Sequence, residues 1–535
     1  MKGSVVPILL CALAFSARPA WADRDPAAPP LGIQPVSTIT LAQIVARHRL
    51  AVGKPDARPQ TRVEQWTYTD GTRSGTQTTY RSGNDYREDR SLGPFHYAHG
   101  ELGGKTWEQN SNGLTRFLSG IHERTDVNDY ALAHLLLASS GAQLLGEVAS
   151  PVPAYVVKVA PQNGYVEYAY FDAATYLLVQ DERAESGQRV VWTYDDFRTG
   201  NGVRTPWHIH ESNGLPNDDQ DWKLQSATIG QPVDPSKLAV PASSDPVSLT
   251  ASTVSLPARI EADRIILTAQ IGKHKVNFLM DSGSSGILLN RDVADATGVQ
   301  SFGTMTEITA GQYTASDAMI PKIDFGVATM TNASAETAPY SEWTSSGTPI
   351  AGLMGYDFIA GSVIHVDYEH GTVQAIAPGS FTPPAGAVAL PIRLDDGVPV
   401  IAAMIGNAAG TNFLVDTGAD RSMIFSTFAR AHPGDVSDQG LGEEITDSLP
   451  FVHHIDGVGG KVEVRPVQVS ALQIGSTRLP NWLFDVSQDA PSFEGDDYDG
   501  IIGQDVLRNF DVYFDYQRSM LYLVPNDRYR QRWGG

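Results

Sequence analysis

Cysteine is nearly absent from this chain. One of the 535 residues is cysteine, Cys11, and it lies in an amino-terminal apolar run, so no disulfide framework can brace the fold. Long hydrophobic stretches are missing too: after that first run none approaches the roughly 20 residues a membrane span needs. Positive charge is also scarce, with 39 Lys and Arg against 61 Asp and Glu and a net charge of −22. That balance argues against nucleic acid and anionic membrane surfaces as partners, since both are gripped through basic patches. What remains is a globular composition, long enough for about three units of roughly 100–200 residues each.

The beginning of the chain has the layout of a secretory signal peptide: Lys2, the apolar run Val5 to Phe15, and the small-residue site Ala20-Trp21-Ala22. The run is short for a membrane anchor, and Cys11 follows Leu10 rather than a small residue, which argues against lipid attachment. Cleavage before Asp23 would remove 1–22, and with it the cysteine, Lys2 and Arg18. The mature chain is then expected to be periplasmic or secreted, held together by packing alone, and more acidic still.

Residues 23–60 read as a Pro/Ala-rich leader followed by a helix, opened by the capping-box pattern Thr40-Leu41-Ala42-Gln43 and stopped at Gly53. His48 on that helix is expected to be structural. From 61 to 230 the pattern alternates with period two between turn signals, as in Gln65-Trp66-Thr67-Tyr68 and Tyr165-Val166-Glu167-Tyr168-Ala169-Tyr170, with a helix expected over Val127 to Leu145. This predicts an antiparallel sheet with a helix or two against it. The phrases Tyr170-Phe171-Asp172, Tyr194-Asp195-Asp196-Phe197 and Asn201-Gly202-Val203-Arg204-Thr205-Pro206 resemble the curved-sheet domains of periplasmic lipoprotein carriers. That resemblance implies an incomplete barrel with an apolar concave face for a lipid, a peptide or part of its own chain. Trp66, Trp107, Trp192 and Trp207 are expected in the sheet core. His208 and His210 alternate on one strand without a Cys or carboxylate cluster beside them, so no metal site is expected. Residues 231–257, with five prolines, have linker composition.

Beyond residue 257 the chain repeats itself. Gly352-Leu353-Met354-Gly355-Tyr356-Asp357-Phe358-Ile359 aligns without gaps on Gly500-Ile501-Ile502-Gly503-Gln504-Asp505-Val506-Leu507, and the same register carries Val366-Asp367-Tyr368 onto Phe514-Asp515-Tyr516. Ahead of each block an apolar run ends on Asp-(Ser/Thr)-Gly: Asp281-Ser282-Gly283 after Phe278-Leu279-Met280, and Asp416-Thr417-Gly418 after Phe413-Leu414-Val415. Each carboxylate should sit where a buried strand meets a tight turn, with the Gly letting the backbone bend.

These elements resemble the retropepsin-like and pepsin-like aspartic peptidases, in particular bacterial chains that carry both copies. The fold class expected is mainly β: duplicated acid-protease β-barrel lobes, 258–380 and 381–526, preceded by the antiparallel curved-sheet α+β domain and followed by a tail, 527–535. The resemblance implies that Asp281 and Asp416 are the catalytic pair, supported by Ser282, Gly283, Thr417 and Gly418. It also implies that the apolar-apolar-Gly strand buries the catalytic loop of its own copy, and that Asp357 and Asp505 cap the short helices next in the chain. Flap candidates are Tyr313 in copy one and Gly457, Gly459 and Gly460 in copy two, preceded by His453 and His454.

Two carboxylates held about 3 Å apart cannot both ionise, so they share one proton. The ionised member can take a proton from water while the protonated one polarises the peptide carbonyl. No cofactor or metal is called for. The expected partner is a protein or peptide substrate, and the chain is expected to act as a monomer, because one chain supplies both carboxylates. The rival expectation is a non-catalytic periplasmic binding protein for an apolar ligand or peptide on a protease-like scaffold.

Overall fold

The computed structural model describes residues 28–53, 61–133, 141–150, 152–185, 188–200, 202–215, 217–308, 312–340, 342–343, 346–436, 453–457, 460–487 and 498–534. The expected signal peptide lies outside them. The fold is mainly β: a large antiparallel sheet followed by two β units of one plan.

The first sheet has 13 strands. Its first six, Thr61–Asp70 through Thr115–Phe117, form a meander, and Gln220–Ile229 returns to pair with Thr61–Asp70. The alternation in the sequence is realised there, with Glu64, Trp66 and Tyr68 buried and Gln65 and Thr67 exposed. The helix Leu41–Val52 lies on the same sheet, and its capping box is formed: Gln43 N–H donates to Thr40 Oγ1 at 3.3 Å and Thr40 N–H to Gln43 Oε1 at 2.8 Å. Ile44 packs fully buried against Val157, Val159, Ala169 and Phe171, a burial that stabilises by about 2–3 kcal/mol. His48 sits edge-on to Phe171, with Nδ1 2.8 Å from the Tyr176 carbonyl.

Two expectations for this sheet need correction. The second helix is Ile121–Ala133, earlier than anticipated, and Leu144 and Leu145 belong to the strand Gln143–Val148, which comes after a left-handed turn at Gly141 (φ 63°). The face beneath the two helices is not simply apolar. Beside Trp66 and Tyr68 it buries Glu64, Gln77, Thr79, Glu167, Asp181 and Arg183. Arg183 is paired with Asp129 at 2.9 Å, Glu185 at 2.9 Å and Glu167 at 3.4 Å, as buried charges must be if their desolvation is to be offset. His208 is likewise engaged, with Asp195 at 3.0 Å and Asp221 at 2.7 Å.

The two later units share one construction. In the first, the hairpin Arg264–Ile271 with His274–Met280 receives Gly352–Met354 as a parallel neighbour, Phe278 opposite Gly352 and Met280 opposite Met354. In the second, Val398–Ile405 with Ala408–Val415 receives Gly500–Ile502 in the same register, Phe413 opposite Gly500 and Val415 opposite Ile502. A parallel strand covered on both faces must be apolar throughout, and Phe278, Met280, Phe413 and Val415 are fully buried. A six-stranded sheet joins the units, with Val363–Asp367 of the first antiparallel to Phe510–Asp515 of the second.

Segment 231–257 does more than its linker composition suggests. Val247–Leu249 pairs with Ala328–Ala338 and Thr253–Ser255 with Thr372–Ile376, burying Val247, Val254 and Leu256. Its prolines keep these strands short and at sheet edges. The tail folds as well: Asn526 caps the helix Asp527–Trp533, whose Tyr529 and Trp533 pack on the core.

Candidate active site

Both loops are fixed first by their own lobes. Asp281 N–H donates to Met354 O at 3.1 Å, and Asp416 N–H to Ile502 O at 3.0 Å. Each carboxylate then accepts backbone N–H groups of its own turn: Asp281 Oδ1 from Gly283 at 2.8 Å, and Asp416 Oδ1 from Gly418 at 2.6 Å and Ala419 at 3.1 Å.

The loops are next fixed to each other by a reciprocal clasp. Ser282 N–H donates to Thr417 Oγ1 at 2.9 Å, and Thr417 N–H donates to Ser282 Oγ at 3.0 Å. The hydroxyls complete the crossing, Ser282 Oγ to Val415 O at 2.7 Å and Thr417 Oγ1 to Met280 O at 2.8 Å. All four bonds are buried, where leaving any polar group unpaired would cost about 1–3 kcal/mol.

This crossing brings Asp281 and Asp416 together. Each lies against the glycine of the opposite loop: a Cβ on Gly283 would come within 2.6 Å of Asp416 Cγ, and one on Gly418 within 2.7 Å of Asp281 Cγ. No side chain fits at either position. Burial pushes the Asp416 carboxyl above the ordinary carboxylate range, opposed by the neighbouring Asp281 carboxyl and by the Gly418 and Ala419 N–H groups. Two carboxyl groups enclosed this closely titrate as a pair rather than as independent acids.

Behind the loops lies a layer that motif and spacing left unassigned. Tyr368 OH donates to Gln504 Oε1 at 2.6 Å, and Gln504 Nε2 donates to Thr417 O at 2.7 Å. At the equivalent place in the other copy, Tyr516 stacks on Tyr356 at 6.1 Å and is buried within electrostatic reach of Asp281 and Asp416. The matched tyrosines of Val366-Asp367-Tyr368 and Phe514-Asp515-Tyr516 were the signal that could have found this layer.

The flap candidates fall on two hairpins. Tyr313 opens the strand Gln312–Asp324, opposite Glu307, and its ring packs on a cluster that includes Ile266, Leu279, Leu288 and Leu353. Gly457 and Gly460 pair with each other at the end of the hairpin His453–Gly457 with Gly460–Ile474. Gly459 lies outside the described residues. Val462 and Val464 of that hairpin pack with Val400, Leu414, Met423 and Ile501, the counterpart of the Tyr313 cluster. His453 and His454 are on the same hairpin. Asp357 and Asp505 are not the helix caps expected: Gly355 and Gly503 occupy those positions, and the carboxylates sit in the first turn. Asp505 Oδ1 accepts Ser422 Oγ at 2.6 Å.

Two segments, 267–358 and 401–506, match the family model described as aspartyl protease. The two matched segments fall one in each of the two units of like construction. Among solved structures, the aspartic proteinase from Irpex lacteus is similar at 16% identity and a TM-score of 0.32, over 52% of this chain and 98% of that one. A LolA superfamily protein from Nitrosomonas europaea is similar at 13% identity and 0.30, over 38% and 98%. A DUF1329 family protein from Desulfovibrio piger is similar at 12% and 0.28, over 37% and 95%. No curated protein sequence matches the chain.

Proposed function

We propose that the chain is an exported aspartic endopeptidase, periplasmic or secreted, in which Asp281 and Asp416 jointly activate water against a peptide bond. The observation that carries this reading is the clasp between Ser282 and Thr417, which sets each carboxyl group against the glycine of the other's loop. A pair that shares one proton has the two functions hydrolysis needs: the ionised oxygen draws a proton from water, and the protonated one donates to the carbonyl oxygen on which charge develops. Addition of water gives a gem-diol. As its C–N bond breaks, the carboxyl that took the water proton gives it to the leaving amine, a gem-diol hydroxyl returns its proton to the other carboxylate, and the pair again holds one proton. The hairpins bearing Tyr313 and Gly457/Gly460 would close over an extended peptide and exclude water. One chain supplies both halves of the site, so a monomer suffices. The polar face of the 13-stranded sheet weighs against the rival reading of a carrier for an apolar ligand.

The test is digestion of a diverse peptide library between about pH 3 and 7 by the full-length chain, by Asp281→Asn and by Asp416→Asn, with a hydroxyl-bearing transition-state mimic as control. Cleavage lost by about three orders of magnitude in either variant and blocked by the mimic is the expected result. Undiminished cleavage in both variants would sink the assignment. Amino-terminal sequencing of the mature protein, expected to begin at Asp23, tests export.

A further inference from the structure

The two lobes do not hold their second buried aspartate in the same way. In copy two, Asp505 Oδ1 accepts both the N–H (2.9 Å) and the hydroxyl (2.6 Å) of Ser422, and Ser422 Oγ accepts Gly503 N–H at 3.0 Å. The helix start is thereby tied to the end of the loop that begins at Asp416. In copy one the strand register sets Leu288 opposite Leu353, as Met423 is opposite Ile501. The counterpart of Ser422 is therefore Ile287, an apolar residue in the core that has no side-chain donor to offer. Yet Asp357 is the more enclosed of the two, 4% exposed against a half-buried Asp505, and its Oδ2 would lie 3.2 Å from a Cβ on Gly286.

The missing donor comes from the amino-terminal sheet. Asn110, in the loop between Lys105–Gln109 and Thr115–Phe117, donates from Nδ2 to Asp357 Oδ1 at 2.7 Å. Its own loop holds it rigid: Asn110 Oδ1 accepts the N–H groups of Asn112 at 3.1 Å and Leu114 at 3.0 Å. The loop is anchored in the first lobe. Asn112 exchanges two hydrogen bonds with the Ser334 backbone, at 2.7 and 3.0 Å, and Leu114 is buried in the main core of the lobes. From Asp357 the route to the reacting pair is short, because the neighbouring Gly355 and Tyr356 N–H groups donate to Gly286 O and Ser284 O, both at 3.0 Å, in the loop that carries Asp281.

We propose that Asn110 is a positioning residue of the peptidase site: the amino-terminal sheet supplies copy one with the carboxylate ligand that copy two takes from its own Ser422. The sheet is then a permanent part of the catalytic unit and not a removable pro-segment. This role rests on the peptidase reading. Burial pushes the Asp357 carboxyl up to about 6, opposed by the amides of Asn110 and Asn112 and by Arg116, with Asp396 acting in the same direction as burial.

The experiment uses the full-length chain with Asn110→Ala, Asp357→Ala and the double variant, and adds Ile287→Thr to Asn110→Ala to place a hydroxyl where copy two has one. Expected are a fall in kcat of about tenfold for Asn110→Ala with KM within twofold, non-additive shifts in Tm for the Asn110/Asp357 pair, and at least partial recovery of kcat with Ile287→Thr. Unchanged kcat in a folded Asn110→Ala, or additive Tm shifts, would overturn the proposal. If the parent shows no Asp281-dependent cleavage, the peptidase reading and the positioning role fail together, while non-additive Tm shifts would still identify the Asn110–Asp357 bond.

Discussion

His365 and Tyr513 stack face to face, 4.0 Å between ring centroids and 1° from parallel, as directly opposed residues of two antiparallel strands. The alignment that superposes Gly352 on Gly500 also superposes His365 on Tyr513, so each faces its own counterpart in the other copy. The local twofold axis of the duplicated half passes between them. The same axis relates Ser282 to Thr417, which explains why their hydrogen bonds come in matched pairs.

Because the clasp is reciprocal, its two hydroxyls should be energetically coupled. Ser282→Ala and Thr417→Val each remove one hydroxyl and leave buried partners unpaired, at an expected cost of about 1–3 kcal/mol per variant. Thr417→Ser keeps the oxygen and should stay close to the parent. Thermal unfolding of the two single variants and the double should be non-additive, and kcat should fall in each single variant. Additive losses would mean that the hydroxyls act independently.

The layer behind the loops makes a contrast between chemically identical changes. Tyr368→Phe removes the bond to Gln504, which itself supports the Thr417 carbonyl, and should cost about 1 kcal/mol and reduce activity. Tyr516 Oη has no hydrogen-bond partner among the described residues, so Tyr516→Phe should leave stability within about 0.5 kcal/mol of the parent or raise it. Equal losses in the two variants would show that Tyr516 Oη has a partner after all.

Stability should rise on mild acidification, against the usual trend for an acidic protein. Asp357 and Asp505 are both pushed up to about 6 by burial, from an ordinary value of 3.8. Between those limits the folded chain binds more protons than the unfolded one, so stability is greatest below about pH 4 as far as these groups are concerned and declines as pH rises to 6. For Asp357 the full effect is about 2–3 kcal/mol. Tm measured from pH 4 to 7.5 should therefore fall, and Asp357→Asn should flatten the profile. A Tm that rises with pH over this window, unaltered by the substitution, would contradict the assignment.

Much of this arrangement was legible in the sequence where the signal was local or repeated. Asp281-Ser282-Gly283 and Asp416-Thr417-Gly418 carry their chemistry in three residues, and the Gly352 and Gly500 blocks showed them to be equivalent. What was not legible depends on partners far apart in the chain. Nothing near Asn110 indicates that its amide reaches Asp357, and Ile287 reads as an ordinary core residue until strand register makes it the counterpart of Ser422. The polar face of the first sheet is illegible for a related reason: Glu167 and Arg183 look like solvent-facing residues, and only the helix that supplies Asn128 and Asp129 makes them interior. In segment 231–257 the prolines point to a linker, whereas the pairing strands that hold Val247 and Val254 decide where it lies.

The sheet and the lobes should stay together when the connection between them is cut. Phe95 meets Phe302 edge-on at 5.6 Å, Thr304 N–H donates to Thr72 Oγ1 at 2.6 Å, and Arg73 bridges Asp70 and Asp317 at 2.5 and 2.7 Å. Arg116 reaches Asp396 of the second lobe at 2.7 Å. The sheet therefore grips the Tyr313 hairpin and both lobes, and the Arg73–Asp317 pair is enclosed enough to resist screening by salt. A specific protease site inserted between the exposed residues Gly230 and Gln231 allows the connection to be cut after folding. The two fragments should co-elute in gel filtration at physiological ionic strength, and the cut protein should keep at least half its peptidase activity. Separation of the fragments with a gain in activity would show instead that the sheet is an inhibitory segment, held by its tether rather than by this interface.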